Sequence, residues 1–372
     1  MRKIEMVDLT RQLLPMRAAI DHEISKVIDT ASFIKGAQVT QFETQLSEYQ
    51  GSHFAISCGN GTDALQIALM SLGLDAGDEV IIPAFAYAAV AEVILLLSLK
   101  PVLVDVDYET FNMDASLIEG SISERTRAII PVHLFGQMAD MDTILRIAAT
   151  YNLFVIEDNA QSIGCRSTRT KAFSGSIGHI GCTSFFPSKN LGCFGDGGAM
   201  TTDDTQLADE LRKITTHGQV EKYKHQVVGV NSRLDTMQAA VLNVKIQFLN
   251  SFNDKRKSAA DQYDAHLSDI KDVIIPVRSH YSDHVFHQYT LKVSADNRSE
   301  LKAYLEANEI PSSIYYPLSL HQQEAYRDHV LIHQSLSVSE KLSQEVISLP
   351  MHTQLDNEQQ EHITSAVRSF YS

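Results

Sequence analysis

The stretch HFAISCGNGTDALQIALMSLGLDAGDEVIIP, residues 53–83, decides the fold class of this 372-residue chain. An apolar, β-branched run leads through a glycine-rich turn into a helical pattern, and a second apolar run follows. We predict a strand over residues 53–57, a helix over 62–72 and a strand over 79–83. Because parallel strands need a crossover connection, usually a helix, this order predicts a βαβ unit.

The same alternation continues outward to about residue 216 and predicts an α/β domain with a mostly parallel sheet. Further strands are predicted over residues 101–106, 128–133, 154–157, 181–186 and 198–202. Further helices are predicted over residues 86–99, 141–151 and 205–216. Residues 15–31 and 41–49 read as amphipathic helices that would cover this domain or a partner.

Beyond residue 236 the pattern changes to two long helices, over residues 237–250 and 252–270, with no strand between them. A strand over 288–293 and helices over 299–308 and 357–370 would then form a small α/β domain. We therefore predict a large domain over residues 1–250 and a small C-terminal domain over residues 251–372.

Charge and composition limit the classes of partner. The formal charge is −15 and no cluster of Lys or Arg stands out, which argues against nucleic acid or an acidic membrane surface as a partner. The start lacks the apolar run of a signal peptide, and no run of about 18 apolar residues occurs. We expect a cytoplasmic protein.

The four cysteines show no zinc or redox spacing, so we expect buried free thiols and no metal site. They are Cys58, Cys165, Cys182 and Cys193.

One lysine stands out in the segment CTSFFPSKNLGCFGDGGAM, residues 182–200. Lys189 lies in a Ser-, Pro- and Gly-rich loop between two predicted strands, where a side chain is held in place. Desolvation or a nearby cation lowers a lysine pKa and gives the neutral, nucleophilic amine. An ordinary surface lysine is the alternative on this segment alone.

A second segment, FVIEDNAQS at residues 154–162, is an apolar strand that ends in acidic residues. Asp158 would lie at the carboxyl edge of the sheet, where α/β folds bind ligands. A carboxylate there can pair with a pyridinium nitrogen, and Gln161 can donate to a phenolic oxygen on the same ring. A metal ligand or a helix cap is the alternative for Asp158.

A third segment, CGNGTDAL at residues 58–65, follows a strand and opens a helix. Main-chain N–H groups at the helix N-terminus would form a phosphate site, where Gly59 and Gly61 permit close approach and Thr62 adds a hydroxyl, and Ser184 is a second phosphate donor. The segment has neither GxGxxG nor GK[ST], which disfavours a dehydrogenase and a P-loop protein. A phosphate cradle, a ring carboxylate and a lysine together are the requirements of pyridoxal 5′-phosphate (PLP) chemistry.

Four motifs, GNGTDAL, EDNAQS, TSFFPSKNLG with GDGGA, and VNSRLDTMQAA, resemble the nucleotide-sugar aminotransferases among fold type I PLP enzymes. The resemblance runs from about residue 5 to 365. The wording SFFPSK, HGQ, VGVNSRLD and SLPMH is most similar to enzymes that aminate UDP-2-acetamido-2-deoxy-3-oxo-glucuronate for O-antigen sugars in lipopolysaccharide.

The resemblance implies a role for each site residue. Lys189 would hold PLP as a Schiff base and act as the catalytic acid and base, with Asp158 on the ring nitrogen and Gln161 on the O3′ oxygen. Tyr87 would stack on the ring, although a core aromatic at a helix start is its alternative. The residues implied for the phosphate are Gly61, Thr62 and Ser184.

The resemblance also implies a homodimer whose active site is shared, with Asn231 reaching the PLP phosphate of the partner. Arg233 would bind an anionic part of the sugar nucleotide, for which a guanidinium is suited. A salt bridge within the fold is the alternative for Arg233. Tyr315 and Tyr316 would contact the sugar.

Two positions depart from the related sequences. Asn159 replaces a small alanine expected beneath the ring, and Tyr315 replaces a histidine that the uronate enzymes tend to have. Both changes leave the exact substrate open. His217, His225 and His321 are expected to be structural or to lie beside the substrate.

The predicted reaction moves an amino group from L-glutamate to a keto nucleotide sugar, at C3 of the 3-oxo-glucuronate or of the corresponding 3-keto N-acetylhexosamine. The alternatives are a dTDP-linked 3- or 4-keto-6-deoxy sugar as substrate, or a PLP-binding regulator without turnover. A sugar dehydratase of the same fold is disfavoured, because those relatives have His in place of the lysine.

Overall fold

The structure is a computed structural model that describes residues 2–372. The strands are β1 (Phe54–Cys58), β2 (Glu79–Pro83), β3 (Lys100–Val104), β4 (Thr126–Ile129), β5 (Phe154–Asp158), β6 (Ile180–Ser184), β7 (Gly198–Thr202), β8 (Gln219–Glu221), β9 (Lys224–His225), β10 (Val273–Ile274), β11 (Tyr289–Val293), β12 (Leu331–Ile332) and β13 (Val346–Leu349).

The α-helices lie between and around these strands. They are α1 (Leu9–Leu13), α2 (Arg17–Thr30), α3 (Ala37–Gln50), α4 (Gly61–Ser71), α5 (Ala89–Leu96), α6 (Met141–Tyr151), α7 (Thr205–Ile214), α8 (Thr236–Lys245), α9 (Leu249–Leu267), α10 (Ala295–Ala307), α11 (Ser337–Glu345) and α12 (Asn357–Phe370).

The central feature is an eight-stranded sheet in the order β1-β7-β6-β5-β4-β2-β3-β12. Only β7 runs antiparallel to its neighbours, and the remaining pairs are parallel. The prediction of an α/β domain with a mostly parallel sheet is confirmed. Because β7 is antiparallel to both β1 and β6, these two strands run in the same direction. Their carboxyl ends therefore lie at the same edge of the sheet.

Both faces of this sheet are buried, as parallel sheets require. On β2, Val80 and Ile82 pack into a core shared with α4, α5 and α7. Ile81 points the other way into a second core shared with α6. This alternation explains why the strand reads as a continuous apolar run rather than as alternating polar and apolar residues.

A smaller antiparallel sheet, in the order β10-β11-β13, packs against α9, α10 and α12 in a separate core. β12 comes from the same part of the chain but pairs in parallel with β3, so it extends the large sheet. The domain boundary at residue 250 stays a prediction.

Most predicted elements are confirmed, and β2, β7, α6 and α12 have the predicted bounds. The strand predicted over residues 128–133 ends at Ile129, because Pro131 has no N–H with which to continue a ladder. The helix predicted over 86–99 is shorter, at Ala89–Leu96. The prediction missed α1, β8, β9, β10, β12, α11 and β13.

All four cysteines are free and buried, as predicted. Within residues 2–372, no helix has the length and apolar character needed to cross a bilayer.

Candidate active site

The sheet brings the predicted site residues to one edge. Asp158 ends β5 and Ser184 ends β6, and these two strands are parallel neighbours. Gly61 follows β1, which runs in the same direction, and Tyr87 follows β2. The carboxyl edge of a parallel sheet is where α/β folds bind their ligands, so the topology alone assembles a site from four separate segments.

The loop that carries Lys189 is held from both sides. The Lys189 N–H donates to the carbonyl oxygen of Phe186 at 2.9 Å. The neighbouring Asn190 is buried, and its Nδ2 donates to Asn253 Oδ1 at 2.8 Å and to the carbonyl oxygen of Val285 at 3.2 Å. The main chain around Lys189 is therefore held in place, and Lys189 itself is half-buried.

The electrostatic environment of Lys189 shifts its protonation equilibrium toward the neutral amine. Burial lowers the pKa of Lys189 to about 8, although the negative charge of Asp158 opposes the shift. Burial together with the charges of Lys189 and Arg256 lowers the pKa of His287 well below its usual range, so this imidazole is neutral. A lysine in this state can act as a nucleophile and as a general base near neutral pH.

Asp158 is a buried carboxylate with little to compensate its charge. Its Oδ1 accepts one hydrogen bond, from the Ala160 N–H at 3.0 Å. Burial raises the pKa of Asp158, while the Ala160 N–H and the charge of Lys189 oppose this rise. A protonated ring nitrogen would supply the missing cationic donor, so this residue fits a pyridinium.

Gln161 lies between the main chain and an aromatic side chain. Its Oε1 accepts from the Phe135 N–H at 2.8 Å, and its Nε2 donates to Tyr316 Oη at 3.1 Å. The amide nitrogen therefore faces the aromatic side of the site. Nε2 has a second hydrogen, which suits a hydrogen bond to the phenolic oxygen of a ring held by Asp158.

The start of α4 forms an anion cradle. Asn60 caps the helix, since its Oδ1 accepts from the Asp63 N–H at 2.8 Å. The N–H groups of Gly61 and Thr62 have no acceptor among residues 2–372. A Cβ at Gly61 would lie 2.6 Å from Ser184 Cβ, so only glycine lets the helix approach β6 this closely. Free N–H groups at a helix N-terminus fit a phosphate.

Aromatic side chains line the other side of the site. The Tyr87 and Tyr316 ring centroids are 6.2 Å apart, and Phe85 lies 5.8 Å from Tyr316. Tyr87 is 61% exposed, which its alternative as a core aromatic does not allow. Tyr315 packs edge-on against Tyr316 at 6.1 Å.

The segment that carries Asn231 and Arg233 lies beside the anion cradle. Ser232, between them, accepts from the Gly59 N–H at 2.8 Å and donates to Asp63 Oδ2 at 2.5 Å. Asn231 is exposed. No carboxylate of residues 2–372 pairs with Arg233 within 4.0 Å, so the alternative of an internal salt bridge is not seen.

The side chain of Asn159 is held in a buried hydrogen-bond network, and its place relative to a cofactor ring stays a prediction. Its Nδ2 donates to Thr183 Oγ1 at 3.2 Å, and its Oδ1 accepts from the hydroxyls of Ser162 and Ser174, each at 2.6 Å. Because side chains alternate along a strand, Thr183 points away from the face on which Ser184 meets Gly61. Asn159 thus belongs to a buried network behind the site.

Sequence reasoning missed a buried carboxylate–imidazole hydrogen bond behind Asp158. Glu157 Oε2 accepts from His133 Nε2 at 2.8 Å and from the Gly175 N–H at 2.8 Å. Burial would raise the pKa of Glu157, but these donors and the Gly178 N–H outweigh that effect and lower it. The only sequence feature that pointed to Glu157 was its position directly before Asp158 in EDNAQS.

The three histidines of uncertain use lie outside this cluster. His225 Nδ1 lies 2.8 Å from the carbonyl oxygen of His217. His321 Nε2 lies 2.9 Å from Glu340 Oε1. Their roles stay predictions.

Comparison with known proteins gives consistent matches over nearly the whole chain. Residues 15–368 match the model of the DegT/DnrJ/EryC1/StrS aminotransferase family. The UDP-2-acetamido-2-deoxy-3-oxo-D-glucuronate aminotransferase of Pseudomonas aeruginosa is 45% identical over 95% of this chain and 96% of its own length. The UDP-N-acetyl-3-dehydro-alpha-D-glucosamine 3-aminotransferase of Acidithiobacillus ferrooxidans is 43% identical over 98% of this chain and 97% of its own.

The fold is also similar to solved structures. The crystal structure of NtdA from Bacillus subtilis, with the cofactor PMP bound, superposes with a TM-score of 0.92 at 31% identity. The match covers 100% of this chain and 86% of that one.

Proposed function

Because the chain belongs to the DegT/DnrJ/EryC1/StrS aminotransferase family and is a PLP-dependent sugar aminotransferase, we propose that it transfers an amino group from L-glutamate to C3 of a UDP-linked sugar. The acceptor is a 3-keto N-acetylhexosamine or the corresponding 3-oxo-glucuronate. Both relatives described above carry names of UDP-linked 3-keto sugars, so a dTDP-linked acceptor has less support.

The observation that carries this proposal is that Asp158 ends β5 at the carboxyl edge of the sheet and lies near enough to Lys189 for the two charges to affect each other's pKa. Bound PLP supplies an electron sink that lets a proton leave the carbon bearing the amino group. We assign to Asp158 the ring nitrogen, to Gln161 the O3′ oxygen and to Tyr87 one face of the ring. The phosphate is assigned to Gly61, Thr62 and Ser184.

Lys189 has two tasks in this assignment. It attaches the cofactor, and once released its Nζ carries the proton that leaves Cα of glutamate. Its pKa of about 8 leaves a useful fraction of neutral amine at pH 7, whereas an ordinary lysine with a pKa of 10.5 has almost none. Asp158 keeps that pKa from falling further, so the ammonium form also persists to return a proton.

The sugar side of the site is assigned to Arg233, Tyr315 and Tyr316. A guanidinium without a carboxylate partner is suited to a sugar carboxylate or to a pyrophosphate. Tyr316 Oη accepts from Gln161, which leaves its own O–H free to donate to the sugar.

We also propose a homodimer in which Asn231 reaches the cofactor phosphate of the partner. Asn231 is exposed, and its side chain makes no hydrogen bond within residues 2–372. Tyr223 and Val228, earlier in the same segment, are 81% and 86% exposed, which suits burial against a second copy. A cytoplasmic location and a role in lipopolysaccharide synthesis stay predictions.

Subunit mixing tests the shared site. When Lys189→Ala and Asn231→Ala subunits are refolded together, each hybrid dimer has one site with both lesions and one with neither. About a quarter of wild-type activity should then appear from two inactive preparations. Mixtures that stay inactive would overturn the assignment of Asn231.

The substrate is tested with a panel of keto sugar nucleotides. Purified protein, PLP and L-glutamate are combined with UDP-linked 3-keto sugars, with and without a C6 carboxylate, and with dTDP-linked 3- and 4-keto sugars. The proposal predicts an aminated product, identified by mass, from a UDP-linked 3-keto sugar, and none with Lys189→Ala. Turnover of only the dTDP-linked sugars, or of none, would contradict it.

A further inference from the structure

The direction of the Gln161 amide is set by the main chain. A backbone N–H can only donate, so the atom that faces the Phe135 N–H at 2.8 Å must be the amide oxygen. The amide nitrogen is thereby turned toward Tyr316 Oη, 3.1 Å away. Whatever places the Phe135 N–H therefore decides which way the Gln161 donors point.

Phe135 lies in a tight turn over residues 134–138 whose backbone is unusual. Phe135 has φ of 57° and Gly136 has φ of 104°, both in the left-handed region. A Cβ at Gly136 would lie 2.8 Å from the His287 backbone nitrogen, so glycine is required there. Such a turn needs outside contacts to hold its shape.

One buried side chain bonds to both ends of this turn. Asn112 is 1% exposed. Its Oδ1 accepts from the Leu134 N–H at 2.9 Å, and its Nδ2 donates to the carbonyl oxygens of Gln137 and Met138, each at 3.1 Å. All three bonds go to the main chain, so the contact depends on the shape of the turn and on little else.

Further contacts support the same turn. The Phe111 ring packs edge-on against Phe135 at 5.1 Å. The Val285 N–H donates to the carbonyl oxygen of Gly136 at 2.8 Å. These contacts fix where the turn lies, whereas Asn112 ties its two ends together and so sets the direction of the N–H groups within it.

We propose that Asn112 is a positioning residue, which through the turn at residues 134–138 aims the Gln161 amide nitrogen at the phenolic oxygen of the cofactor. This inference rests on the proposed PLP site. It goes beyond that site because the side-chain hydrogen bonds of Asn112 go to the main chain of the turn, and no part of the site's chemistry requires an asparagine there.

The test follows the pH midpoint at which the visible absorbance of bound PLP changes. A donor to the phenolic oxygen stabilises its negative charge, and that charge holds the neighbouring proton of the chromophore. When the Gln161 amide no longer donates to the phenolic oxygen, that oxygen holds the chromophore's proton more strongly. Gln161→Ala should therefore raise the pH midpoint of the absorbance change by about 1 unit. Asn112→Ala should raise it in the same direction, and should add nothing when made in the Gln161→Ala protein.

A matched control separates positioning from loss of stability. Asn243 is also a buried asparagine, 3% exposed, whose Nδ2 donates to the main-chain oxygen of Gln38 at 3.0 Å on another part of the fold. Asn243→Ala should lower the melting temperature and leave the midpoint unchanged. If Asn112→Ala does not fold, Asn112→Asp, which keeps the acceptor for Leu134, should move the midpoint in the same direction.

The outcomes distinguish this inference from the proposed function. A midpoint that moves with Gln161→Ala but stays fixed with both Asn112 variants would overturn the role of Asn112 and leave the PLP site standing. Additive shifts in the double variant would overturn it too, because they would show that Asn112 acts by another route. A protein that develops no visible absorbance with PLP would instead contradict the proposed function.

Discussion

Burial and the charge of Asp158 act in opposite directions on the pKa of Lys189, so removing that charge should lower this pKa further. Burial lowers its pKa to about 8 and the charge of Asp158 opposes that shift. At pH 7 the neutral fraction is then roughly 10%, about 300-fold more than for a lysine at 10.5. Asp158→Asn removes the opposing charge, and an opposite charge at close range is worth at least about 1 pKa unit. Lys189 should therefore titrate near 7 in the variant.

The assay is the first-order rate at which cofactor-free protein develops visible absorbance at saturating PLP, measured between pH 6 and 10. The wild-type rate should rise through a midpoint near pH 8. Asp158→Asn should shift the midpoint down by about 1 unit and raise the rate at pH 7 about five-fold. The variant should hold PLP more weakly all the same, because the ring nitrogen loses its partner.

Asp105→Asn is a matched control, since Asp105 is a buried carboxylate at the same sheet edge that bonds to the start of α11. It should leave the midpoint unchanged. A wild-type rate that rises only near pH 10 would contradict the lowered pKa of Lys189. An Asp158→Asn midpoint at or above that of the wild type would contradict the effect of the Asp158 charge on that pKa.

Three further changes probe the phosphate cradle, the Glu157–His133 hydrogen bond and the sugar contact. Gly61→Ala places a methyl group 2.6 Å from Ser184 Cβ and should weaken PLP binding at least about 10-fold in an absorbance titration, with the exposed Gly120→Ala as control. Glu157→Ala leaves His133 and several main-chain N–H groups without an acceptor. It should lower the free energy of unfolding, measured in urea, by about 3 kcal/mol. A decrease of less than about 1 kcal/mol would count against a stabilising role for the contact between Glu157 and His133. If Arg233 binds the sugar carboxylate, Arg233→Ala should raise KM about 10-fold or more for an acceptor with a C6 carboxylate. The KM for a neutral acceptor should then stay within about two-fold of the wild-type value. Equal effects on both acceptors would instead place Arg233 on the pyrophosphate.

The parts of the site that sequence could predict are those that short segments encode. The step from β1 through Gly61 into α4 is visible as an apolar run, a glycine and a helical pattern. Asp158 could be placed because it follows an apolar strand directly, and the carboxyl edge of a parallel sheet is where ligands bind. Lys189 could be found because a lone lysine in a glycine-rich loop is unusual.

The parts that sequence could not predict depend on contacts between distant segments. The direction of the Asn159 side chain is set by Thr183 and Ser174, which lie 24 and 15 positions later in the chain. The turn that orients Gln161 depends on Asn112, a residue 49 positions earlier in the chain. Neither contact leaves a periodic pattern in the sequence.

Short elements were missed for a related reason. β12 has two residues and exists because β3 offers it an edge. Strands this short have no intrinsic stability, so only the neighbouring strand determines where they form.

Lys189 is not the only lysine that could attach PLP. Burial also lowers the pKa values of Lys245 and Lys292 to about 8, so a reactive amine alone does not single out Lys189. The direct measurement is reduction of the PLP-loaded protein with borohydride, followed by proteolysis and peptide mass analysis. We expect a cofactor adduct on the peptide that contains Lys189, and we expect this adduct to disappear when L-glutamate is added before the reductant. An adduct on Lys245 or Lys292 instead, or one that glutamate does not prevent, would contradict it.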